Sequence, residues 1–363
     1  MILRHVSNYA AGIILFTGIM VILMPIQISA EDDVVSEAYA VIDANTGALL
    51  DGKNHREEMY PASLTKIATA IIAIEHLDLD EEVTISNKAI HADGTRVYLE
   101  EGESLTVEQL LYGIMISSAN DASIALAEHI SGSVESFSRL MNTYIQDEIG
   151  LENTHFTNPH GLFDEDHVTT AEDIARIMKY ALENDTYRKL AEKTDYHWQS
   201  EGWDTRIFHH HAMRRHYDFV TAGKNGFVSQ SGLTLATSGI QDQTELIVVT
   251  LNAPSRSQIV SDTLLLFERN FNLYETVTID IPPSLFPRTA KAPDSVSLTT
   301  LRNESVRLTF SEDYLMFRGH AGRLIHFHRI PISDAFTLHR SSVIRQYPES
   351  AYLIEDPFIA RLN

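Results

Sequence analysis

The chain has 363 residues, no cysteine and a formal net charge of −22. That charge excludes nucleic acid, whose phosphates it would repel, and charge-led docking on anionic lipid. The absence of cysteine excludes disulfides, thiolate metal sites and cysteine lipidation, and with 44% hydrophobic residues the core is large enough to do without them.

Arg4 precedes an apolar run from about Tyr9 to Ile28, and Ala30 stands before the acidic Glu31-Asp32-Asp33. Residues 1–30 are expected to be a secretory leader cut near Ala30. Because the run is long and Ile28 is not small, an uncleaved anchor in a membrane is the alternative. Both put the folded part outside the cytoplasm. Residues 38–51 read as a hairpin turning at Asn45-Thr46-Gly47. A helix is expected from Ser63, apolar nearly all round through Ile67, Ala70, Ile71 and Ile74, and therefore buried.

The middle of the chain is expected to be helical. Leu110, Leu111, Ile114 and Met115 fall at helical spacing in 105–116, a second helix spans 121–130 up to Gly132, and a third runs from Phe137 to a stop at Gly150. Thr170 to Asp173 resembles a capping box before Ile174, Ile177 and Met178. Strands return at 233–237 and 245–251, joined by Gln241-Asp242-Gln243, and both are expected beside the strand that carries Lys224. A helix over 257–271 closes the unit. Strands from both ends and helices from the middle predict an α/β sandwich over 31–275, with a helical insertion and a groove between. Pro282-Pro283 and Pro287 mark a boundary, beyond which alternation at Val306, Leu308 and Phe310 and the segment 324–330 predict a β-rich module over 276–363.

Three motifs carry chemistry. In Pro61-Ala62-Ser63-Leu64-Thr65-Lys66, positions i and i+3 share a helix face. Ser63 is the candidate nucleophile and Lys66 its base, made neutral by burial and by a second cation, Lys224. The Ser63 N–H at the helix head can steady an oxyanion. Ser118-Ala119-Asn120 lies on a loop between helices: Ser118 would relay the proton to a leaving amine, and Asn120 would hold Lys66 and meet a substrate amide. In Lys224-Asn225-Gly226, Lys224 would attract a substrate carboxylate and Asn225 would donate its amide to it. Gly226 would let substrate backbone approach, and the Phe227 N–H would be the second oxyanion donor. His209-His210-His211 is not read as a metal site, since three consecutive histidines on regular structure cannot all face one ion. His160 and His167 read as loop-bonding residues, and Glu172 and Asp173 as helix N-terminal charge.

Together these motifs resemble the serine-type D-alanyl-D-alanine carboxypeptidases, the low-molecular-mass penicillin-binding proteins of peptidase family S11. Tyr39 to Asp43 with Thr46-Gly47, Leu110 to Ala127, Asn158 to Leu162 and His167 to Asp173 extend the likeness over about 35–275. The resemblance implies a penicillin-binding/β-lactamase-like fold and a cofactor-free reaction on a peptidoglycan stem peptide ending in D-Ala-D-Ala. Ser63 would attack the penultimate carbonyl, the terminal D-alanine would leave protonated through Ser118, and water would hydrolyse the acyl-enzyme. β-Lactams would acylate the same serine. Two departures stand out: Asn225 replaces the usual threonine, and His209 to Arg215 replaces an asparagine-rich stretch. A β-lactamase-like hydrolase and an inactive wall-binding homologue are the alternatives. The first would need a water-activating glutamate, for which the loop after Asn158 offers no candidate.

Overall fold

The structure, a computed structural model, describes residues 34–281, 294–311, 314–319, 324–329, 336–337, 342–346, 352–355 and 361–362. The expected leader over 1–30 and the prolines at 282, 283 and 287 lie outside the described residues.

The chain opens with strands β1 (Ala38–Asp43) and β2 (Leu49–Lys53), turning where Asn45 to Gly47 predict, with Gly47 at φ +73°. A 3₁₀ turn (Ala62–Thr65) leads into helix α1 (Lys66–His76). The short elements β3 (Glu82–Thr84), α2 (Asn87–Ile90) and β4 (Ser104–Thr106) precede α3 (Val107–Tyr112). After a π turn (Gly113–Ser117) come α4 (Asn120–Ser131), α5 (Val134–Tyr144), α6 (Ala171–Glu183) and α7 (Asp185–Ala191). A hairpin of β5 (Asp195–Gln199) and β6 (Asp204–Phe208) leads to β7 (Val220–Val228), β8 (Gly232–Gln241), β9 (Thr244–Ala253) and α8 (Arg256–Leu273). The remaining strands are β10 (Tyr274–Asp280), β11 (Ser295–Leu301), β12 (Val306–Ser311), β13 (Tyr314–Arg318), β14 (Leu324–Arg329), β15 (Phe336–Thr337), β16 (Ser342–Gln346), β17 (Tyr352–Glu355) and β18 (Arg361–Leu362).

The main sheet is antiparallel in the order β2-β1-β9-β8-β7, so sequence-distant β1 and β9 pair at its centre. This corrects one expectation. β8 alone flanks β7, and β9 is separated from it by β8. The strand period of two gives the sheet two apolar faces. Ala38, Ala40 and Ile42 of β1 face the helices built around α1, whereas Tyr39 and Val41 pack with Leu235, Val248 and the α8 residues Ile259, Leu266 and Phe267. Helix α1 is buried from Lys66 to Ala73, which its all-round apolar sequence requires. β7 ends the main sheet, and the 3₁₀ turn packs over the sheet at Gly226 of β7 and Thr234 of β8.

Caps follow the sequence. Thr106 and Gln109 form a reciprocal capping box, and Thr170 accepts from the Asp173 N–H at 3.0 Å. Gly132 and Gly150 close their helical segments at positive φ. The helix expected over 105–116 is only partly α: it widens into the π turn before Ser118, itself left-handed at φ +61°. Such a widening redirects a segment, here toward the groove.

Beyond α8, β10 straddles the expected boundary at 276 and pairs antiparallel with β11. The pair is tied to the main sheet by Thr299 Oγ1 donating to Asp43 and by the Thr276 N–H donating to Thr244 Oγ1 at 2.8 Å. A further antiparallel sheet has the order β14-β13-β12-β16-β17. No helix among the described residues is long and apolar enough to cross a membrane.

Asp262 anchors α8 to the start of the described chain. Its buried carboxylate accepts from Ser36 N at 2.7 Å and Ser36 Oγ at 2.6 Å. Asp262→Ala strands both donors and is expected to destabilise the protein by about 2–3 kcal/mol, read as a lower urea midpoint.

Candidate active site

Four segments converge beside β7. The nucleophile turn comes first. Ala62 is held at φ +48°, a strained conformation for a residue with a Cβ. Thr65 Oγ1 donates to Ala62 O at 2.8 Å and Thr234 Oγ1 donates to Pro61 O at 3.1 Å, pinning the turn from both sides. Gly161, at φ +87°, lies against it so closely that a Cβ there would stand 1.8 Å from Ala62 O. Only glycine meets both demands.

Ser63 therefore sits in a 3₁₀ turn, one step ahead of the α-helix expected to begin with it. Its spacing to Lys66 survives the change: Lys66 Nζ and Ser63 Oγ are 3.0 Å apart. Lys66 has no accessible surface, while Ser63 is half-buried and open to the groove. Lys66 also donates to His160 O at 2.6 Å. Burial first, and then the charge of Lys224, hold the Lys66 amine well below the usual lysine range, with Asp121 opposing. A neutral amine that gives one N–H to the His160 carbonyl keeps its lone pair for the Ser63 hydroxyl.

The loop over 158–162 is built to offer that carbonyl. Asn158 Oδ1 accepts from the N–H groups of His160 and Gly161 at 3.2 and 2.7 Å, and its Nδ2 donates to Leu162 O at 3.0 Å. Thr69 Oγ1 donates to Pro159 O at 2.6 Å, fastening the loop to α1. The His167 ring accepts the Thr157 N–H at Nδ1 (3.0 Å), so Nε2 carries the proton and meets Thr65 Oγ1 at 2.8 Å. Burial pushes both His160 and His167 down to about 3, leaving them neutral. They are loop-bonding residues, as their sequence context suggests, but the His160 backbone carbonyl touches Lys66, the candidate base. Thr65, Thr69 and Gly161 went unmarked in the sequence because their roles depend on a loop about ninety residues away.

The second pair is Ser118 and Lys224. Lys224 Nζ lies 2.8 Å from Ser118 Oγ and 2.9 Å from Asn225 O. Both side chains are buried, and desolvation lowers Lys224 to about 7. Neither Lys66 nor Lys224 has a carboxylate in ion-pair contact among the described residues. Ser118 thus bonds to Lys224, whereas sequence reasoning drew it toward Lys66.

Asn120 departs from expectation. Its Nδ2 donates to Asp93 O at 2.6 Å and its N–H to Thr95 O at 2.7 Å, so it ties down the loop before Val97 and leaves Lys66 to His160. Asp121 reinforces that loop by accepting the N–H groups of Val97 and Leu99 at 3.1 and 3.3 Å.

On β7, Gly226 also serves the protein itself. A Cβ there would lie 2.7 Å from Ser63 N and 2.5 Å from Thr234 Oγ1, so the glycine makes room for the nucleophile turn where substrate was expected. Asn225 is half-buried, and its Oδ1 is buried without a donor. Phe227 is 63% exposed at the groove mouth. His209 to His211 do not converge on one ion. His211 bonds Thr237 Oγ1 at 2.9 Å, His209 Nδ1 accepts from the His211 N–H, and His210 is exposed. Glu172 does more than charge a helix terminus: it pairs with Arg56 at 2.9 Å and Arg176 at 2.7 Å, which hold it down at about 2.

The architecture is that of the penicillin-binding serine peptidases. The D-alanyl-D-alanine carboxypeptidase family profile matches residues 26–255, and the chain belongs to that family. Among its relatives, D-alanyl-D-alanine carboxypeptidase DacF of Bacillus subtilis is 32% identical over 247 residues, covering 66% of this chain and 63% of the relative. DacA of Haemophilus influenzae is 30% identical over 295 residues, covering 72% and 70%. In fold, the chain superposes on penicillin binding protein 5 from Haemophilus influenzae with a TM-score of 0.70 at 24% identity, over 82% of this chain and 96% of that one. The D-alanyl-D-alanine carboxypeptidase DacD from Francisella tularensis gives 0.67 at 22% identity, over 83% and 93%.

The two lysines predict a pH profile. If Lys66 acts as the base in acylation it must be a free amine, so the rate is expected to rise with pH, with an apparent pKa well below 10.5. If Lys224 captures a carboxylate it must be an ammonium, so kcat/KM is expected to fall again on the alkaline side. Lys224→Arg, which keeps its charge, is expected to remove the alkaline limb; stopped-flow acylation across pH reads both.

Proposed function

We propose that the protein is a serine-type D-Ala-D-Ala carboxypeptidase that trims peptidoglycan stem peptides outside the cytoplasm. The observation that carries this reading is a fully buried, unpaired Lys66 amine 3.0 Å from the half-open Ser63 hydroxyl. Burying an amine there costs stability, and a chemical use accounts for why it is kept.

The geometry supports the following sequence. Lys66 takes the Ser63 proton as Oγ attacks the carbonyl of the penultimate D-alanine. The N–H groups of Ser63 and Phe227 receive the oxyanion. Lys224 holds the terminal carboxylate by charge, with the Asn225 amide beside it. The C–N bond breaks, and the leaving amine takes its proton through Ser118, whose hydroxyl is polarised by Lys224. Asn120 and Gly226 act by fixing the walls around these groups. Water then hydrolyses the Ser63 ester, and Lys66 assists again. A β-lactam presents the same amide and carboxylate and would stop at the ester. An N-terminal leader or anchor over 1–30 would deliver the domain to the wall.

Ser63→Ala is expected to abolish fluorescent-penicillin labelling and to cut D-alanine release on the order of a thousandfold or more. Persistent labelling would remove Ser63 from its role. Asn225→Thr is expected to raise kcat/KM up to about tenfold, because a threonine hydroxyl there would donate to the substrate carboxylate in place of a differently aimed amide, a hydrogen bond worth about 1 kcal/mol. An unchanged or lower rate would mean that Asn225 already binds the carboxylate as well as threonine would.

A further inference from the structure

Next to the Ser118–Lys224 pair lies a second cavity of about 410 Å³, between the β5–β6 hairpin and the turn after His211. Its floor includes Ser117, adjacent to Ser118. The histidine strip along its side is stitched to the catalytic elements: the His210 N–H donates to Ile116 O at 3.1 Å, and the His211 ring fills the space a Cβ on Gly223 would take, one residue before Lys224. The cavity therefore shares its supporting elements with the Ser118–Lys224 pair, where the proposed reaction holds its leaving residue.

Its lining is cationic in a chain of net charge −22. Arg206 and Arg215 stand at the rim with His210, and Trp203 and Phe208 form apolar walls. Arg206 is paired with Asp195 at 3.0 Å. Arg215 lies 5.3 Å over the Phe208 ring and has no acidic partner among the described residues. His209, 3% exposed, lines the same cavity. Its Nδ1 accepts the His211 N–H at 3.1 Å, so Nε2 carries a proton, and that buried N–H has no acceptor. The Arg215 guanidinium, without an acidic partner on this cavity, favours an anionic ligand, and the unmet His209 N–H, itself closed to solvent, adds a positive dipole nearby.

We propose that this cavity is a subsite for the side chain of the leaving residue and that it takes an acidic one, so that the protein releases terminal D-residues bearing a side-chain carboxylate in preference to basic ones. The inference rests on the carboxypeptidase reading, which fixes the leaving residue at Ser118 and Lys224. The chemistry is unchanged. The amide C–N bond breaks, the Ser63 ester forms, and the departing amine gains the relayed proton. Only the side chain of the departing residue differs. It reaches past Ser117 to Arg215, its aliphatic part against Phe208.

The test uses the purified full chain and acyl peptides ending in D-Ala-D-Glu, D-Ala-D-Gln, D-Ala-D-Lys and D-Ala-D-Ala, with the free D-amino acid quantified. kcat/KM for the D-Glu peptide is expected to exceed that for the D-Lys peptide about tenfold, a charge reversal at a partly open site. Arg215→Gln is expected to lower the D-Glu to D-Gln ratio about fivefold, as befits one exposed guanidinium. A thermal melt confirms that the variant folds. Equal rates for D-Glu, D-Gln and D-Lys, or a ratio unmoved in Arg215→Gln, overturn the subsite while leaving the carboxypeptidase reading intact if D-alanine is still released. Release of no D-amino acid, D-alanine included, overturns both.

Discussion

The contact between the Lys66 amine, the Ser63 hydroxyl and the His160 carbonyl is the constraint around which the molecule is arranged. A lysine sealed in a dry helix is costly to bury as an ion, so its pKa falls well below the usual lysine range. In the proposed reaction that fall makes a destabilising residue a base. It works only if the hydroxyl is brought to the amine and an acceptor takes one of its hydrogens. The strained Ala62, the close-packed Gly161, the Thr65–His167 bond and the Thr69–Pro159 bond all serve that placement. Each looks like loop detail alone, and together they fix two distances.

The second lysine follows the same logic with the opposite outcome. Lys224 is buried at the edge of the sheet, bonded to Ser118, and near enough to Lys66 for their charges to oppose one another. Two cations in one dry groove do not readily coexist. In the proposed reaction the two divide the work: the charge on Lys224 attracts a carboxylate, and the lone pair on Lys66 removes a proton. The end strand β7 brings Lys224 to Ser118, with the Ser63 turn packed over Gly226 two residues on.

Much of this was legible in the sequence where the signal is local. The i, i+3 spacing of Ser63 and Lys66, the turn at Asn45 to Gly47, the cap at Thr170 and the glycine stops at Gly132 and Gly150 depend on neighbours within a few residues, and they recur in the structure. The α/β sandwich followed from strands at both ends of the domain and helices between. What escaped depends on distant contacts. The 3₁₀ start at Ser63 reflects Gly161 pressing on Ala62, and the π turn before Ser118 has no counterpart in the apolar spacing. Asn120 was expected at Lys66, but a loop carbonyl at Asp93 claims it. Gly226 was read as space for substrate, and the Ser63 turn fills that space. In both cases the residue type was informative and its partner was not.

The central claim is that burial and the neighbouring Lys224 charge hold the Lys66 amine well below the usual lysine range in the resting protein. Titration of lysine ¹³Cε resonances by NMR, with Lys66 assigned by substitution, tests it directly. A Lys66 signal that titrates well below 10.5, and shifts back upward when Lys224 is replaced by a neutral residue, is the result this account predicts. A Lys66 that titrates at the ordinary lysine value, indifferent to Lys224, would contradict it.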